Sequence, residues 1–352
     1  MRKIDIAVIP GDGIGREVVP ESLRILDLLS EIHGGFKFEK KLYPYSCDYY
    51  EEHGKMMPDD GFQQLSQHDA IFLGAIGDPK RVPDHIALWQ MVIGLRREFQ
   101  QVINLRPVKS LKGITSPLRG DKNFDFIVVR ENSEGEYSQV GGTIHQDNDE
   151  IAIQTNVFTR KATEGVIDFA FQLANGRNHK LTSATKSNGL YHSMPFWNRV
   201  FTETEAKYED IETELIHIDA LSAFFVTKPE SFDVIVASNL FGDILSDLGG
   251  AIMGSIGIAP SANINLNGKY PSMFEPVHGS APDIYGKNIA NPIGQLWTAK
   301  LMLEHFGYEE IGNLLLNTIE ELLVDNVKTP DLGGNYGTTE FIDALFEKLK
   351  KQ

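Results

Sequence analysis

Short apolar runs alternate with amphipathic helical segments along most of this 352-residue chain. The first run, residues 4–9, leads into the loop Gly11-Asp-Gly-Ile-Gly15, and apolar residues then recur at helical spacing from Val18 to Leu29. Further strands are predicted at residues 36–42, 70–73, 124–129, 180–184, 214–218 and 233–238. Such alternation is typical of a largely parallel sheet covered by helices. The sequence therefore predicts an α/β fold.

Helical spacing predicts helices at residues 86–99, 166–173, 242–252, 296–323 and 339–350. Residues 254–294 are rich in Gly, Pro, Asn and Ser, so we expect a long loop there. Long ordered loops in compact proteins commonly bind a ligand.

Composition excludes several classes of protein. The net charge of −16, with no long basic run, argues against nucleic acid as a partner. No apolar stretch reaches 18 residues, so no membrane-spanning helix is expected. Residues 1–10 form a run too short for a signal sequence, and the single cysteine, Cys47, fits a reducing compartment. We therefore expect a soluble, cytoplasmic protein.

Asp243 and Asp247 stand four residues apart on a predicted helix, so both carboxylates lie on one face among apolar neighbours. Two partly buried like charges need a cation or a proton, and a hard ion such as Mg²⁺ or Mn²⁺ suits oxygen ligands. Alternatively, Asp243 complements the helix dipole and Asp247 faces water. The spacing alone leaves both interpretations open.

Three further polar residues stand beside predicted strands or turns. Asp219 and Lys186 each follow a strand, where α/β proteins place working residues, and Tyr137 lies in Glu134-Gly-Glu-Tyr137. Asp219 could extend the metal site or cap a helix. Lys186 could act as a base and Tyr137 as an acid, or both could be ordinary surface residues.

Arg96, Arg106 and Arg130 all abut apolar residues, where an unpaired guanidinium is costly. They either form structural ion pairs or bind the carboxylates of a substrate through bidentate hydrogen bonds.

Two segments could bind a dinucleotide. The loop Gly11 to Gly15 follows a strand, and Glu39 on the next strand resembles a ribose-binding acid, but the loop departs from Gly-x-Gly-x-x-Gly. The segment Glu275-Pro-Val-His-Gly-Ser-Ala-Pro-Asp283, with Asn291 beyond it, offers backbone N–H groups, a histidine and an acid. On its own it would also fit a turn-rich loop of unknown purpose.

Several sequence motifs together resemble those of the β-decarboxylating dehydrogenases, which include isopropylmalate, isocitrate, D-malate and tartrate dehydrogenases. They are Pro10-Gly-Asp-Gly-Ile-Gly15, Asn104-Leu-Arg-Pro107, Val129-Arg-Glu-Asn132, Thr185-Lys-Ser-Asn188, Asn239-Leu-Phe-Gly-Asp243 and the 275–283 segment. The stretches 130–138, 182–188 and 192–195 are most similar to the tartrate and D-malate dehydrogenase branch.

The resemblance implies the isopropylmalate/isocitrate dehydrogenase-like fold, which is not a Rossmann fold. Its two domains share a large mixed sheet and have a cleft between them. Residues 1–99 and 256–352 are expected to form the large cofactor-binding domain. Residues 100–255 are expected to form a smaller domain with the metal ligands and the dimer interface.

The resemblance also implies a role for each candidate residue. Asp243 and Asp247, with Asp219 of a partner subunit, would bind Mg²⁺ or Mn²⁺; Arg96, Arg106 and Arg130 would bind the substrate carboxylates. Lys186, also from the partner, would be the base, and Tyr137 would protonate the carbon that loses CO₂. The implied NAD-binding residues are Gly74, Ala75, Ile76, Asn188, Glu275, His278, Gly279, Ser280, Ala281, Asp283, Ile284 and Asn291. K⁺ is a further expected ion.

Two features bear on cofactor and substrate. Asp283 and Ile284 favour NAD, since NADP-dependent relatives carry Lys-Tyr there. Trp89 occupies the position of a glutamate in isopropylmalate dehydrogenases and would shorten the substrate pocket. We therefore expect oxidative decarboxylation of a four-carbon 2-hydroxy diacid, such as D-malate to pyruvate and CO₂, or a tartrate. The alternatives are a 3-isopropylmalate dehydrogenase, a regulatory subunit of a hetero-oligomer, and a metal-dependent hydrolase or lyase.

Overall fold

A computed structural model describes residues 1–120, 122–145 and 147–352 of the chain. The strands are β1 (Arg2–Gly11), β2 (Phe36–Leu42), β3 (Ala70–Ala75), β4 (Ile103–Lys109), β5 (Asp125–Glu131), β6 (Gly135–Ile144), β7 (Ile151–Val157), β8 (Lys180–Thr185), β9 (Glu212–His217), β10 (Val234–Ala237), β11 (Ala262–Ile264) and β12 (Ser272–Phe274). The helices are α1 (Gly15–His33), α2 (Cys47–His53), α3 (Gly61–Leu65), α4 (Asp84–Ala87), α5 (Ile93–Glu98), α6 (Arg160–Asn175), α7 (Ser193–Glu205), α8 (Ile218–Thr227), α9 (Asn239–Met253), α10 (Ile293–His305), α11 (Glu309–Val324) and α12 (Thr338–Leu349). No helix in these described ranges is long and apolar enough to cross a membrane.

The chain divides into two compact units, whose bounds differ in detail from the expected domains. The first unit comprises residues 1–101, 110–119 and 250–352, and the second comprises residues 102–109 and 120–249. Residues 110–119 pack with the first unit because Lys112 N donates to Glu320 and Ser116 Oγ donates to the carbonyl of Ile252. These long-range contacts leave no periodic signal in the sequence.

The first unit contains the strand order β2-β1-β3-β12-β11. β1 pairs in parallel with both β2 and β3, β3 pairs in parallel with β12, and β11 runs antiparallel to β12. All six residues of β3 are buried, as expected for a strand covered on both faces. Helix α10 is buried along eleven of its thirteen residues, so it lies inside the unit rather than on its surface.

The second unit contains the order β4-β5-β10-β8-β9, with β4 antiparallel to β5 and the other pairs parallel. The carboxyl ends of parallel strands meet at one edge of a sheet. Arg130 therefore pairs in register with Ala237, just before Asn239, and Thr185, just before Lys186, pairs with His217. This edge gathers candidate residues from four separate parts of the sequence.

Strands β6 and β7 form a separate antiparallel hairpin whose residues are largely exposed. The register places four exposed apolar residues on one face, namely Val140, Ile144, Ile151 and Ile153. An isolated two-stranded hairpin is at best marginally stable in water. The apolar face of this hairpin is therefore a candidate interaction surface.

Two sequence predictions of local structure were wrong, and a third, the helix at 86–99, was confirmed with one irregularity. Residues 254–294 contain the short strands β11 and β12, which at three residues each are too brief to show an alternating pattern. The single helix predicted at 296–323 is two helices, α10 and α11, because the chain turns at residues 306–308. The helix predicted at 86–99 contains a widened π-helical turn, Leu88–Val92, that includes Trp89.

The loop Gly11 to Gly15 is held in place by hydrogen bonds from distant parts of the same chain. The carboxylate of Asp12 is buried and accepts hydrogen bonds from the backbone N–H groups of Cys47 and Gly77, both at 2.9 Å. Glu39, the other part of that signal, forms an exposed ion pair with Lys3 at 2.6 Å. The acid of the loop and the acid of β2 are thus both engaged by groups of the protein itself.

Gly13→Ala is expected to destabilise the protein severely. A Cβ at Gly13 would lie 1.9 Å from the carbonyl oxygen of Ser280, and its φ is +50°. Gly34→Ala is the matched control, since Gly34 has a φ of +70° but no atom within 4 Å of a built Cβ. The left-handed backbone should cost each variant about 1–2 kcal/mol, and the clash should cost Gly13→Ala about 1–3 kcal/mol more. Equal thermal midpoints for the two variants would contradict this account.

Candidate functional site

One face of α9 carries both candidate metal ligands. Asp243 and Asp247 lie one turn apart, with their side chains 33% and 59% exposed. Gly242 allows the helix to approach β5 closely, because a Cβ there would lie 2.6 Å from the side chain of Arg130. The two carboxylates thereby face the arginines of β4 and β5.

Two of the three candidate arginines, Arg106 and Arg130, are buried beneath that face. Arg130 donates to Asn239 Oδ1 from two of its nitrogens, at 2.7 and 3.1 Å, and also pairs with Asp243. Arg106 donates to Asn104 at 2.6 Å and lies 4.0 Å from Asp243 and 3.9 Å from Asp247. The arrangement brings two guanidinium groups and two carboxylates together.

Tyr137 completes this group of side chains. Its hydroxyl donates to Asp243 Oδ2 at 2.8 Å, and the guanidinium of Arg130 lies 5.4 Å from its ring centre. Asp243 thus has Tyr137 on one oxygen and Arg130 on the other. We call Arg106, Arg130, Tyr137, Asp243 and Asp247 the α9 cluster.

The α9 cluster has an acid whose charge is incompletely compensated. The pKa of Asp247 is raised above its ordinary value, mainly because burial disfavours its charged form. The charge of Asp243 also raises this pKa, whereas Arg106 and Arg130 lower it. Two carboxylates on one helical face are the donor type that Mg²⁺ and Mn²⁺ prefer, so these residues fit such an ion. Within the described ranges, however, no three His, Cys, Asp or Glu side chains are grouped to hold a metal. Asp243 and Asp247 alone therefore do not make up a complete metal site among the described residues.

Lys186 and Asp219 form a second group at the same sheet edge. Lys186 Nζ lies 2.6 Å from Asp219 Oδ1, although 33 residues separate them in sequence. This hydrogen bond is the main reason that the pKa of Asp219 is lowered. Asp219 is 67% exposed and does not join Asp243 and Asp247 within one chain. Asn188, two residues beyond Lys186, is also exposed.

The third candidate arginine, Arg96, lies in the first unit. Arg96 Nη2 donates to Glu275 Oε1 at 2.7 Å, and Asn263 donates to the same oxygen at 2.7 Å. The Nε of Arg96 is buried without a hydrogen-bond partner among the described residues. Arg96 therefore forms a structural ion pair and also has one donor without a partner among the described residues. The sequence had presented an ion pair and substrate binding as alternatives.

The candidate cofactor residues of the first unit lie on two segments, residues 74–76 and 278–281, that both accept hydrogen bonds from residues 12–14. We call these two segments the backbone layer. Gly74, Ala75 and Ile76 lie at the end of β3, and the carbonyl of Ala75 accepts from Asp12 N at 2.7 Å. On the adjoining segment, Ser280 O accepts from Ile14 N at 2.8 Å. His278 donates from Nδ1 to the carbonyl of Gly279 at 3.0 Å, and burial lowers its pKa. Its Nε2 is buried and lacks a partner in the described ranges. Ala281 follows with a φ of +39°.

Beyond this layer the chain is first exposed to solvent and then packs against the protein again. Asp283 is exposed, whereas Ile284 packs against the cluster of Ile14, Val18 and Ala290. Asn291 is fixed by its amide, which donates to Asp331 at 2.9 Å and accepts from Ile293 N at 2.9 Å.

Sequence reasoning missed several residues that contact the candidates. Asp331 accepts hydrogen bonds from both Asn291 and Ser255, and Asn239 accepts hydrogen bonds from Arg130. Asn239 could have been found, because it precedes Asp243 by one helical turn. Asp331 could not, since 40 residues separate it from Asn291.

Comparison with known proteins identifies the class. A family model described as isocitrate/isopropylmalate dehydrogenase matches residues 5–345. The chain is 61% identical over 351 residues to a Bacillus subtilis (strain 168) protein named "Probable tartrate dehydrogenase/decarboxylase", covering 100% of this chain and 99% of the relative. It is 52% identical to the "D-malate dehydrogenase [decarboxylating]" of Escherichia coli (strain K12), covering 98% of both.

A solved isocitrate dehydrogenase from Methylococcus capsulatus superimposes with a TM-score of 0.88 at 31% identity, covering 99% of this chain and all of the other. The chain belongs to the isocitrate/isopropylmalate dehydrogenase family, and the predicted fold class is confirmed. Within that family it is an enzyme of the decarboxylating dehydrogenase class that acts on hydroxy diacids. The regulatory and hydrolytic alternatives are thereby excluded.

Proposed function

We propose that the enzyme oxidises a four-carbon 2-hydroxy diacid, D-malate or a tartrate, with NAD and releases the β-carboxylate as CO₂. The observation that carries this proposal is the α9 cluster, in which two buried arginines face two carboxylates. Carboxylates of a diacid would exchange with the aspartates as partners of the guanidinium groups. The names of the two relatives support the choice of substrate.

Arg106 and Arg130 would bind and orient the diacid, with the free Nε of Arg96 as a further donor. Buried guanidinium groups held by Asn104 and Asn239 keep a fixed fork geometry, which suits carboxylate recognition. Such fixed donors reduce the entropy lost when the substrate is positioned for reaction.

Enzymes of this family generally use a divalent metal and NAD. Asp243 and Asp247 would hold Mg²⁺ or Mn²⁺ together with Asp219 of the partner subunit, and K⁺ would be an accessory ion. A bound divalent ion would supply Lewis acidity at the C2 oxygen during loss of CO₂.

Two residues would move protons. Lys186 of the partner subunit would take the proton of the C2 hydroxyl, and NAD, when bound, would accept the hydride from C2. When the bond from C3 to the carboxylate breaks, its electron pair would form the C2–C3 double bond of an enolate, and Tyr137 would donate a proton to C3 to give the keto acid. The hydrogen bond from Tyr137 to Asp243 supports this assignment, since it places the hydroxyl within the α9 cluster.

NAD would lie along the first unit's layer from Gly74 to Ile76 and the 278–291 segment, with Glu275 and Asn188 toward the nicotinamide. The buried Nε2 of His278, which lacks a described partner, supports a ligand there. The exposed carboxylate of Asp283 makes no hydrogen bond or ion pair with the described residues, so it is available to a ribose hydroxyl and would repel a 2′-phosphate.

A homodimer would complete the site. The hairpin of β6 and β7 presents Val140, Ile144, Ile151 and Ile153 on one face, and a second copy of the chain would cover them. The separation of Asp219 and Lys186 from Asp243 and Asp247 within one chain supports a site shared between subunits.

A substrate panel tests the proposal. With NAD and Mn²⁺, kcat/KM for D-malate or a tartrate isomer should exceed that for 3-isopropylmalate by about tenfold or more, because Trp89 would shorten the substrate pocket. Both NADH and CO₂ should be measured, and NADP should replace NAD poorly if Asp283 has the proposed role. Equal or better turnover of 3-isopropylmalate would overturn the four-carbon assignment and favour the isopropylmalate alternative.

A further inference from the structure

The hairpin that carries Tyr137 is attached to α9 at its base. Asn239 Nδ2 donates to the carbonyl of Glu134 at 3.2 Å. The carboxylate of Glu136 accepts from Ser238 Oγ at 2.9 Å and from the backbone N–H of Leu240 at 3.1 Å. These contacts lie beside the bond from Tyr137 to Asp243 but involve different atoms.

Glu136 acts as the N-terminal cap of α9. The first N–H groups of a helix lack partners within the helix and are usually satisfied by the residue that precedes it. That residue here is Ser238, whose hydroxyl donates to Glu136. The cap is thus supplied by β6, and an anion at this position also complements the helix dipole.

We propose that Glu136 is a positioning residue that fixes Tyr137 relative to Asp243 by joining β6 to the first turn of α9. Tyr137 follows Glu136 directly, and Asp243 lies one turn beyond Asn239. Movement of the hairpin base relative to α9 would therefore change the distance from the Tyr137 hydroxyl to Asp243. This inference rests on the proposed role of Tyr137 as the proton donor.

Glu134 provides a matched control. It lies two residues earlier at the same hairpin base, and its carboxylate accepts from the backbone N–H of Thr159, the residue that caps α6. Glu134→Ala thus removes a similar contact between a carboxylate and a helix N-terminus, but α6 carries none of the candidate site residues. Both variants should lose comparable thermal stability.

The kinetic test is a double-mutant cycle of Glu136→Ala with Tyr137→Phe. Alone, Glu136→Ala should lower kcat for D-malate by about tenfold to a hundredfold, as expected for small misplacement of a reacting group, while KM stays within about threefold. In the Tyr137→Phe background it should have almost no further effect, because a residue that acts through Tyr137 has nothing left to position. Glu136→Gln, which keeps one acceptor, should recover part of the loss, and Glu134→Ala should retain the parental kcat.

Hydrogen exchange provides a readout that needs neither substrate nor cofactor. In the full chain, the amide of Leu240 should exchange faster in Glu136→Ala than in the parent or in Glu134→Ala. Additive effects of the two substitutions, an unchanged kcat, or unchanged exchange at Leu240 would each overturn the positioning role. Full activity of Tyr137→Phe alone would instead overturn the proposed function of Tyr137, so the two failures are distinguishable.

Discussion

Asp243→Asn is expected to lower kcat/KM for D-malate by about a thousandfold, comparable to loss of a central electrostatic group in other active sites. Asp243 contacts Arg130 and Tyr137 at the same time and is the proposed ligand nearest to both. Asparagine keeps the size of the side chain but removes its charge. The affinity for Mn²⁺, measured by titration without substrate, should fall in parallel.

Asp168→Asn is the matched control for that substitution. Asp168 also accepts a hydrogen bond from a tyrosine of the same unit, Tyr208, at 2.9 Å, but lies on α6 outside the α9 cluster. Its replacement should leave kcat/KM and Mn²⁺ affinity near the parental values. An Asp243→Asn enzyme that keeps its kcat/KM within about threefold, a loss too small for a central charge, would refute the metal assignment.

Mixing two variants of strongly reduced activity is expected to restore activity. If each site takes Tyr137 from one subunit and Lys186 from the other, a heterodimer of Tyr137→Phe and Lys186→Met contains one intact site and one doubly altered site. Random reassembly of equal amounts forms heterodimers in about half of the dimers, so about a quarter of parental activity should return by simple symmetry. Dilution that dissociates the dimer should abolish it again.

The outcome separates two arrangements of the site. If Tyr137 and Lys186 of the same chain served one site, every site in the heterodimer would carry one defect and no activity would return. Each variant mixed with itself, taken through the same reassembly, controls for recovery by refolding alone. Replacement of Ile151 and Ile153 by threonine in the parent chain should weaken the proposed homodimer, because both side chains are about half exposed in the single chain and a second copy would cover them.

The α/β class and most strands of the sheet could be predicted because buried parallel strands form continuous apolar runs. Strand β4 was not predicted, since Asn104, Arg106 and Pro107 interrupt its apolar residues. The same reasoning failed for β11 and β12, which are too short for a pattern, and for residues 110–119, whose place is set by long-range contacts. The hairpin of β6 and β7 was missed because its alternation places apolar residues outward, away from any core of the single chain.

The sequence by itself determined the common face of Asp243 and Asp247, because helical periodicity is a local property of the chain. It also carried the motifs of the family. Only the tertiary structure decided which partners the charged residues have. Arg96 meets Glu275 across 179 residues and Lys186 meets Asp219 across 33, since hydrogen bonding depends on distance in space and not on separation along the chain.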